Sequence, residues 1–198
     1  MRIKNRRQSH SKIMIYLNIL GWLVVFIYLG VLALLFLWAG RIFQKKVPFS
    51  PVPNNLLKEI NEALALNDQS LVYDLGCRDG RTLFYFSKFN NKAKCFGIED
   101  NLFSLIFFKT RLFFSKKNNI KIINKDFLSY NLNTATHIFI HLRPNIMDDL
   151  LPKFDRELKK GTKLISLYFH FTGKAPAREI ILKNSNKNII RKIYVYEF

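Results

Sequence analysis

The chain has 198 residues and a formal net charge of +18, room for one domain with a full hydrophobic core and an appendage. Residues 1–46 carry eight Lys or Arg and no acid, which leaves +10 on the remainder; that balance points to lipid headgroups beside the N-terminal region and, for the rest, to a composition rich in Lys, Asn, Ile and Phe. Two cysteines exclude a disulfide framework, and His10, His137, His141 and His170 do not join them at zinc spacing, so no metal site is expected.

Residues 1–12 form a basic polar head, and Ile13–Ala39 is apolar apart from Asn18 and two glycines. A bilayer core takes ~20 apolar residues in a helix, so this stretch spans. It exceeds the ~7 to 15 residues of a secretory signal and lacks the polar face of a core helix. Trp22 and Trp38 are candidate interfacial anchors, Trp38 being better placed near the end. Residues 40–53 are a linker in which Pro48, Pro51 and Pro53 hold an extended strap. A domain over 54–198 follows, opening on a helix that Asn54 or Asn55 can cap and that buries Leu56, Leu57, Ile60, Ala63 and Leu64 on one face.

Leu71–Tyr73 reads as a buried strand that stops at Asp74-Leu75-Gly76-Cys77-Arg78-Asp79-Gly80-Arg81, a tight turn into a helix over Arg81–Phe89. Such turns hold small polar ligands, because glycine admits close approach and a helix start offers N–H groups. Ordinary turn geometry explains Gly-x-x-x-Gly equally well. Lys94–Ile98 is a second strand, closed by Glu99 where an acid would accept from ribose hydroxyls. The dinucleotide pattern Gly-x-Gly-x-x-Gly is absent, which argues against a nicotinamide enzyme. Cys77 follows one parallel strand and Cys95 begins the next, too far apart along the sheet for the ~7 Å limit of a disulfide, so both are expected as free thiols.

Asn101–Lys116 is a helix with five phenylalanines, expected in the core. Ile120–Ile123 is a third strand ending near Asp126-Phe127, an acid and an aromatic suited to an adenine amino group and ring. The connection Phe127–Ala135 is too short for a crossover helix, which leaves that side thinly covered. Thr136–His141 is a strand, Asn145–Leu158 an amphipathic helix stopped by Gly161, Thr162–Tyr168 a strand, and Ile180–Leu182 with Ile189–Tyr196 a hairpin across Asn184–Lys187. Together these compose an α/β fold: a Rossmann-like, seven-stranded, mostly parallel sheet with a C-terminal antiparallel hairpin, preceded by one transmembrane helix.

The turn resembles motif I of the class I S-adenosylmethionine-dependent methyltransferases, Asp-Leu-Gly-x-Gly-x-Gly, with Glu99 matching the acid after their second strand and Arg78 standing where they usually have Gly. Over Pro48–Phe198 the chain is similar to a membrane-anchored subgroup related to the mitochondrial-type protein-lysine methyltransferases. The blocks are the strap Pro48-Phe49-Ser50-Pro51-Val52-Pro53, with Val52 for Thr; the turn; Leu142-Arg143-Pro144-Asn145, with Asn145 for an acid; Arg156–Thr162; and Arg191–Tyr194. The resemblance implies an S-adenosyl-L-methionine cofactor held by Asp74, Gly76, Cys77 and Gly80 at its methionine end, Glu99 at the ribose, and Asp126 and Phe127 at the adenine. It implies a strap closing through Pro51 and Pro53, and a methyl acceptor on a membrane protein. His141 is expected to border the transfer site, with Pro144 and Asn145 beside it; the alternative is a hydrogen-bonded His at a strand end. Asp79 and Arg81 are expected to form a structural pair, and Arg78 to face the cofactor with its backbone only.

The head's five Lys or Arg against Arg41, Lys45 and Lys46 after the span favour a cytoplasmic N-terminus by the positive-inside rule. The cytoplasmic cofactor and the free thiols place the domain inside instead: a single-pass membrane protein with a cytoplasmic catalytic domain and lipid as a neighbour. Two rivals stand beside this reading. One is a tethered binding module of the same fold that has lost activity. The other is a nucleic-acid binder using Phe107-Phe108-Lys109 and the cations of 111–117, ranked below it because helical Phe is more often core.

Overall fold

The computed structural model describes residues 2–43, 51–182 and 191–198. The chain forms two compact units, Met1–Ser50 and Pro51–Phe198. The first contains helix α1 (Arg2–Phe43), within which the 24 residues Met14–Leu37 are long and apolar enough to cross a membrane. Strap residues 44–50, the side chain of Trp38 and the hairpin residues 183–190 lie outside the described residues.

The second unit is built on a seven-stranded sheet of order β3-β2-β1-β4-β5-β7-β6. Its strands are β1 (Leu71–Leu75), β2 (Lys94–Glu99), β3 (Ile120–Asn124), β4 (His137–Ile140), β5 (Lys163–Leu167), β6 (Arg178–Ile181) and β7 (Lys192–Glu197). The first five run parallel, and β7 lies antiparallel between β5 and β6. Buried on both faces, β1 and β4 read as apolar runs, as central parallel strands do. Helices α2 (Leu57–Leu64), α3 (Arg81–Phe89) and α4 (Leu102–Ser115) cover one face, bringing Ile60, Leu83, Phe86 and Phe108 into one cluster with Val72, Cys95 and Phe139. Helix α5 (Pro144–Glu157) covers the other through Met147, Leu150 and Phe154 against Ile98, Ile138 and Leu164.

The β3–β4 connection carries no helix, so loop side chains do the covering. Leu132 is buried, and its N–H donates to Glu157 Oε2 at 2.9 Å while Lys153 Nζ binds the same carboxylate at 2.6 Å. Tyr73 and Phe96 stack at 4.7 Å beneath it.

Three local expectations change. Neither Asn54 nor Asn55 caps α2, because Asn54–Leu56 forms a 3-10 turn entered from Pro53 with no side-chain bond. The first hairpin strand is Arg178–Ile181 rather than Ile180–Leu182. Of the five phenylalanines near α4 only Phe108 is fully buried; Phe107, Phe113 and Phe114 face outward. With apolar residues on both sides of the helix, its pattern alone did not say which side meets the sheet.

The order reverses between β1 and β4, the place where open parallel sheets leave a crevice outside the C-terminal strand ends. The turn after β1, Glu99 at the end of β2, Asp126-Phe127 after β3 and His141–Asn145 after β4 all stand at that edge.

Candidate active site

The turn after β1 spends its donors on the protein. The N–H groups of Gly76 and Cys77 both donate to Ile98 O, at 2.8 and 3.2 Å, Gly80 N donates to Cys77 O at 2.8 Å, and Arg78 N donates to Glu99 Oε2 at 2.9 Å. A pyrophosphate needs such donors; with those four used, the turn presents carbonyl and Cα surface, which suits a cationic ligand end. Gly76 has φ +74°, and a Cβ there would lie 3.5 Å from Leu142 Cδ2 and 4.0 Å from Phe127 Cε1. Gly80, φ +70°, is required for another reason, since a Cβ would run into the Phe108 ring.

Asp74 is buried under the turn, and Thr82 Oγ1 donates to its Oδ2. Burial, opposed by that bond and reinforced by Glu99 and Asp79, raises its pKa to about 7. Cys77 turns its thiol inward to fill the space that Gly97 leaves, so it borders the site by backbone alone. Both cysteines are buried free thiols, as their spacing required.

Glu99 is the central acid. Oε2 accepts from Arg78 N, and Oε1 accepts from Asn101 N at 2.9 Å. An ionised carboxylate offers about four lone-pair sites, so each oxygen retains capacity for one hydroxyl. Burial raises its pKa, and the two backbone bonds oppose that shift. Asn101 also caps α4, accepting from Ser104 N.

Asp79 and Arg81 form the pair expected at the start of α3: Arg81 Nη2 and Nε reach Asp79 Oδ2 at 2.8 and 3.0 Å. Arg81 Nη1 also donates to Val52 O at 3.3 Å, which ties the strap to the turn. Val52 is buried, with Pro51 and Pro53 half-buried on either side. Asp126 is exposed and folds its own loop, Oδ1 accepting from Leu128 N at 2.9 Å, while Phe127 is half-buried near Gly76.

His141 follows β4, half-buried, with its pKa lowered to about 4 first by burial and then by the Arg78 charge. Pro144 and Asn145 are exposed in the first turn of α5. Arg78 has φ +52° and is half-buried; burial lowers its pKa against the charges of Glu99 and Asp79, with Arg143 adding to the lowering. Its side chain thus lies among the charges of the site instead of projecting into solvent.

Two residues that sequence reasoning passed over belong to the same edge. Tyr168, after β5, has φ +74°, an outlier for an aromatic residue, and its ring meets His141 edge to face at 5.3 Å. Arg143 has a buried Nε without a hydrogen-bond partner among the described residues. No pattern marks Tyr168; the cation at 143 stood inside the Leu-Arg-Pro-Asn block and carried no role there.

The family model described as the ANTKMT methyltransferase domain matches residues 74–178, which include every candidate site residue named above apart from the strap residues Pro51, Val52 and Pro53. The chain belongs to that family. A protein-lysine N-methyltransferase of Saccharolobus islandicus is 30% identical over 154 residues, covering 76% of this chain and 92% of that protein. An RNA methyltransferase from Salinibacter ruber, solved with S-adenosyl-L-homocysteine, superposes with TM-score 0.69 at 21% identity over 75% of this chain and 93% of its own. The C-terminal domain of precorrin-6Y C5,15-methyltransferase from Rhodobacter capsulatus gives 0.61 at 9% identity, over 75% and 91%. At such identities these structures speak for the fold. The ANTKMT-family domain is a class I methyltransferase that uses S-adenosyl-L-methionine.

Proposed function

We propose that this ANTKMT-family chain is a membrane-anchored protein-lysine N-methyltransferase acting on a membrane or membrane-associated protein. The observation that carries the acceptor class is the S. islandicus protein-lysine N-methyltransferase, matched over 92% of its length. The anchor rests on Met14–Leu37, long and apolar enough to span. A cofactor made in the cytoplasm supports a cytoplasmic domain.

The residues fit the cofactor. Glu99 takes the ribose hydroxyls with its remaining lone pairs, Gly76, Cys77 and Gly80 admit the methionine end by backbone, and Asp74 supports the turn from beneath. Asp126 and Phe127 take the adenine, with Phe127 already beside Gly76. Arg143, with its unpaired buried Nε, and Arg78 complement the carboxylate. When bound, the cofactor supplies an electrophilic methyl on a sulfonium.

The acceptor side is formed by His141, Pro144 and Asn145, with Tyr168 against His141. A lysine reacts only as the neutral amine, aligned with the methyl it receives. His141, at about 4, stays neutral at physiological pH and is too weak a base to remove an ammonium proton. Its role is to shape and orient, and Asn145 offers a polar contact to the substrate. The proton leaves to water, and the nearby guanidiniums of Arg78 and Arg143 favour the uncharged amine.

The test is to incubate native membranes with the full chain and methyl-labelled cofactor, then hydrolyse the labelled protein. Label recovered as methylated lysine supports the proposal. Label in RNA or in base-labile ester overturns the acceptor class, and cofactor binding without any transfer assigns the chain to the inactive binding module instead.

A further inference from the structure

Helix α4 is apolar on both sides. Leu105 and Phe108 are buried against the sheet, while Leu102, Ile106, Phe107, Phe113 and Phe114 on the opposite side are 47% to 79% exposed. At 3.6 residues per turn these five fall on one outward face centred near Thr110. Lys109 borders that face on one side and Arg111 on the other, the latter also stacked 4.4 Å over the Phe84 ring. The helix contains no acid, and Lys116 and Lys117 follow its end.

We infer that the outward face of α4 is a second membrane contact, lying in the headgroup region of an anionic bilayer. This rests on the anchored reading proposed above. An apolar strip with cations along both borders is the pattern of interfacial helices: the rings enter the acyl boundary and the Lys and Arg heads reach the phosphates. Charge selects this occupant over the others. A second copy would set one cationic, acid-free face against another. Nucleic acid would need its cations along the path of the phosphates, and here they stand at the rim with hydrocarbon at the centre. A chain of net charge +18 is complementary to anionic lipid.

The test uses the full chain in vesicles. Phe113→Cys and, as a control on α5, Arg156→Cys are each labelled with an environment-sensitive fluorophore; Cys77 and Cys95 are buried and react little. In phosphatidylcholine vesicles containing phosphatidylglycerol, the label at 113 should emit to the blue, and spin-labelled lipid near the headgroups should quench it several-fold more than the label at 156. Lys109→Glu with Arg111→Glu should remove most of that difference. Equal quenching at both positions overturns the inference, as does shielding at 113 that follows protein concentration in detergent or appears only with added RNA. Alkaline carbonate extraction separates the two claims: release from the membrane with quenching intact removes the anchor and leaves α4, and retention without quenching removes α4 and leaves the anchor.

Discussion

The ring of Tyr168 meets the ring of His141 edge to face, with centroids 5.3 Å apart and planes at 85°. Their strands β4 and β5 are parallel neighbours, so the two residues extend side by side from the same edge. Arg191 lies over the Tyr168 ring at 5.2 Å, and Tyr168 N donates to Lys192 O at 2.9 Å, which holds the tyrosine from the β7 side. Its backbone at φ +74° carries strain of order 1 to 3 kcal/mol. That strain fixes an aromatic wall beside the residue expected to border methyl transfer. Thermal unfolding should therefore find Tyr168→Gly more stable than Tyr168→Ala by roughly 1 kcal/mol, the reverse of the usual order. Both should lower kcat, with Tyr168→Phe close to the parent.

Asp74 makes the fold sensitive to pH. Its pKa is raised to about 7 from 3.8, so the folded chain holds this proton when the unfolded chain has lost it. Stability from this group is present below about pH 3.8 and is lost as pH rises to about 7, with an upper bound of about 4 kcal/mol. Asp74→Asn keeps an acceptor for the Thr82 hydroxyl and removes the titration. Denaturant midpoints measured at about pH 4 and about pH 8, roughly the two ends of that window, should move less for Asp74→Asn than for the parent.

Activity should rise with pH through ionisation of the substrate amine and show no limb from His141, whose pKa near 4 lies outside the working range. His141→Phe should lower kcat/KM and leave the midpoint of the profile in place. A midpoint that shifts with this substitution would make His141 a base.

Arg78→Gly sets two effects against each other. It relieves a left-handed backbone at φ +52°, a gain of roughly 1 kcal/mol, and removes a cation from the carboxylate end, a loss of roughly 1.5 to 3 kcal/mol. Calorimetric titration should show the variant binding cofactor about ten- to a hundredfold more weakly, while the backbone relief, which acts on the free and bound chain alike, appears as a higher unfolding temperature. Binding as tight as the parent's would mean that only the backbone at 78 faces the ligand.

What was legible in the sequence was whatever a local pattern enforces. The run from Leu71 to Arg81 announces strand, turn and helix, and the structure forms all three. The positions of Cys77 and Cys95 excluded a disulfide, and Asp79 pairs with Arg81, two positions on, as expected of opposite charges at a helix start. Illegible features depend on distant residues. The positive φ of Tyr168 is held by β7, more than twenty positions on, and the pairing of Glu99 with Arg78 N needs β1 and β2 side by side. The outward phenylalanines of α4 were misjudged because a helix apolar all round has no face that its period can single out.

The most direct test of the account is equilibrium binding of S-adenosyl-L-methionine to the full chain and to Glu99→Ala. The parent should bind, and the variant should lose roughly 1.5 to 3 kcal/mol, about ten- to a hundredfold in Kd, because both ribose hydroxyls and two backbone N–H groups lose their acceptor. A correctly folded parent that does not bind, or a Glu99→Ala chain that binds as tightly as the parent, would contradict the assignment of this turn and this carboxylate as the cofactor site.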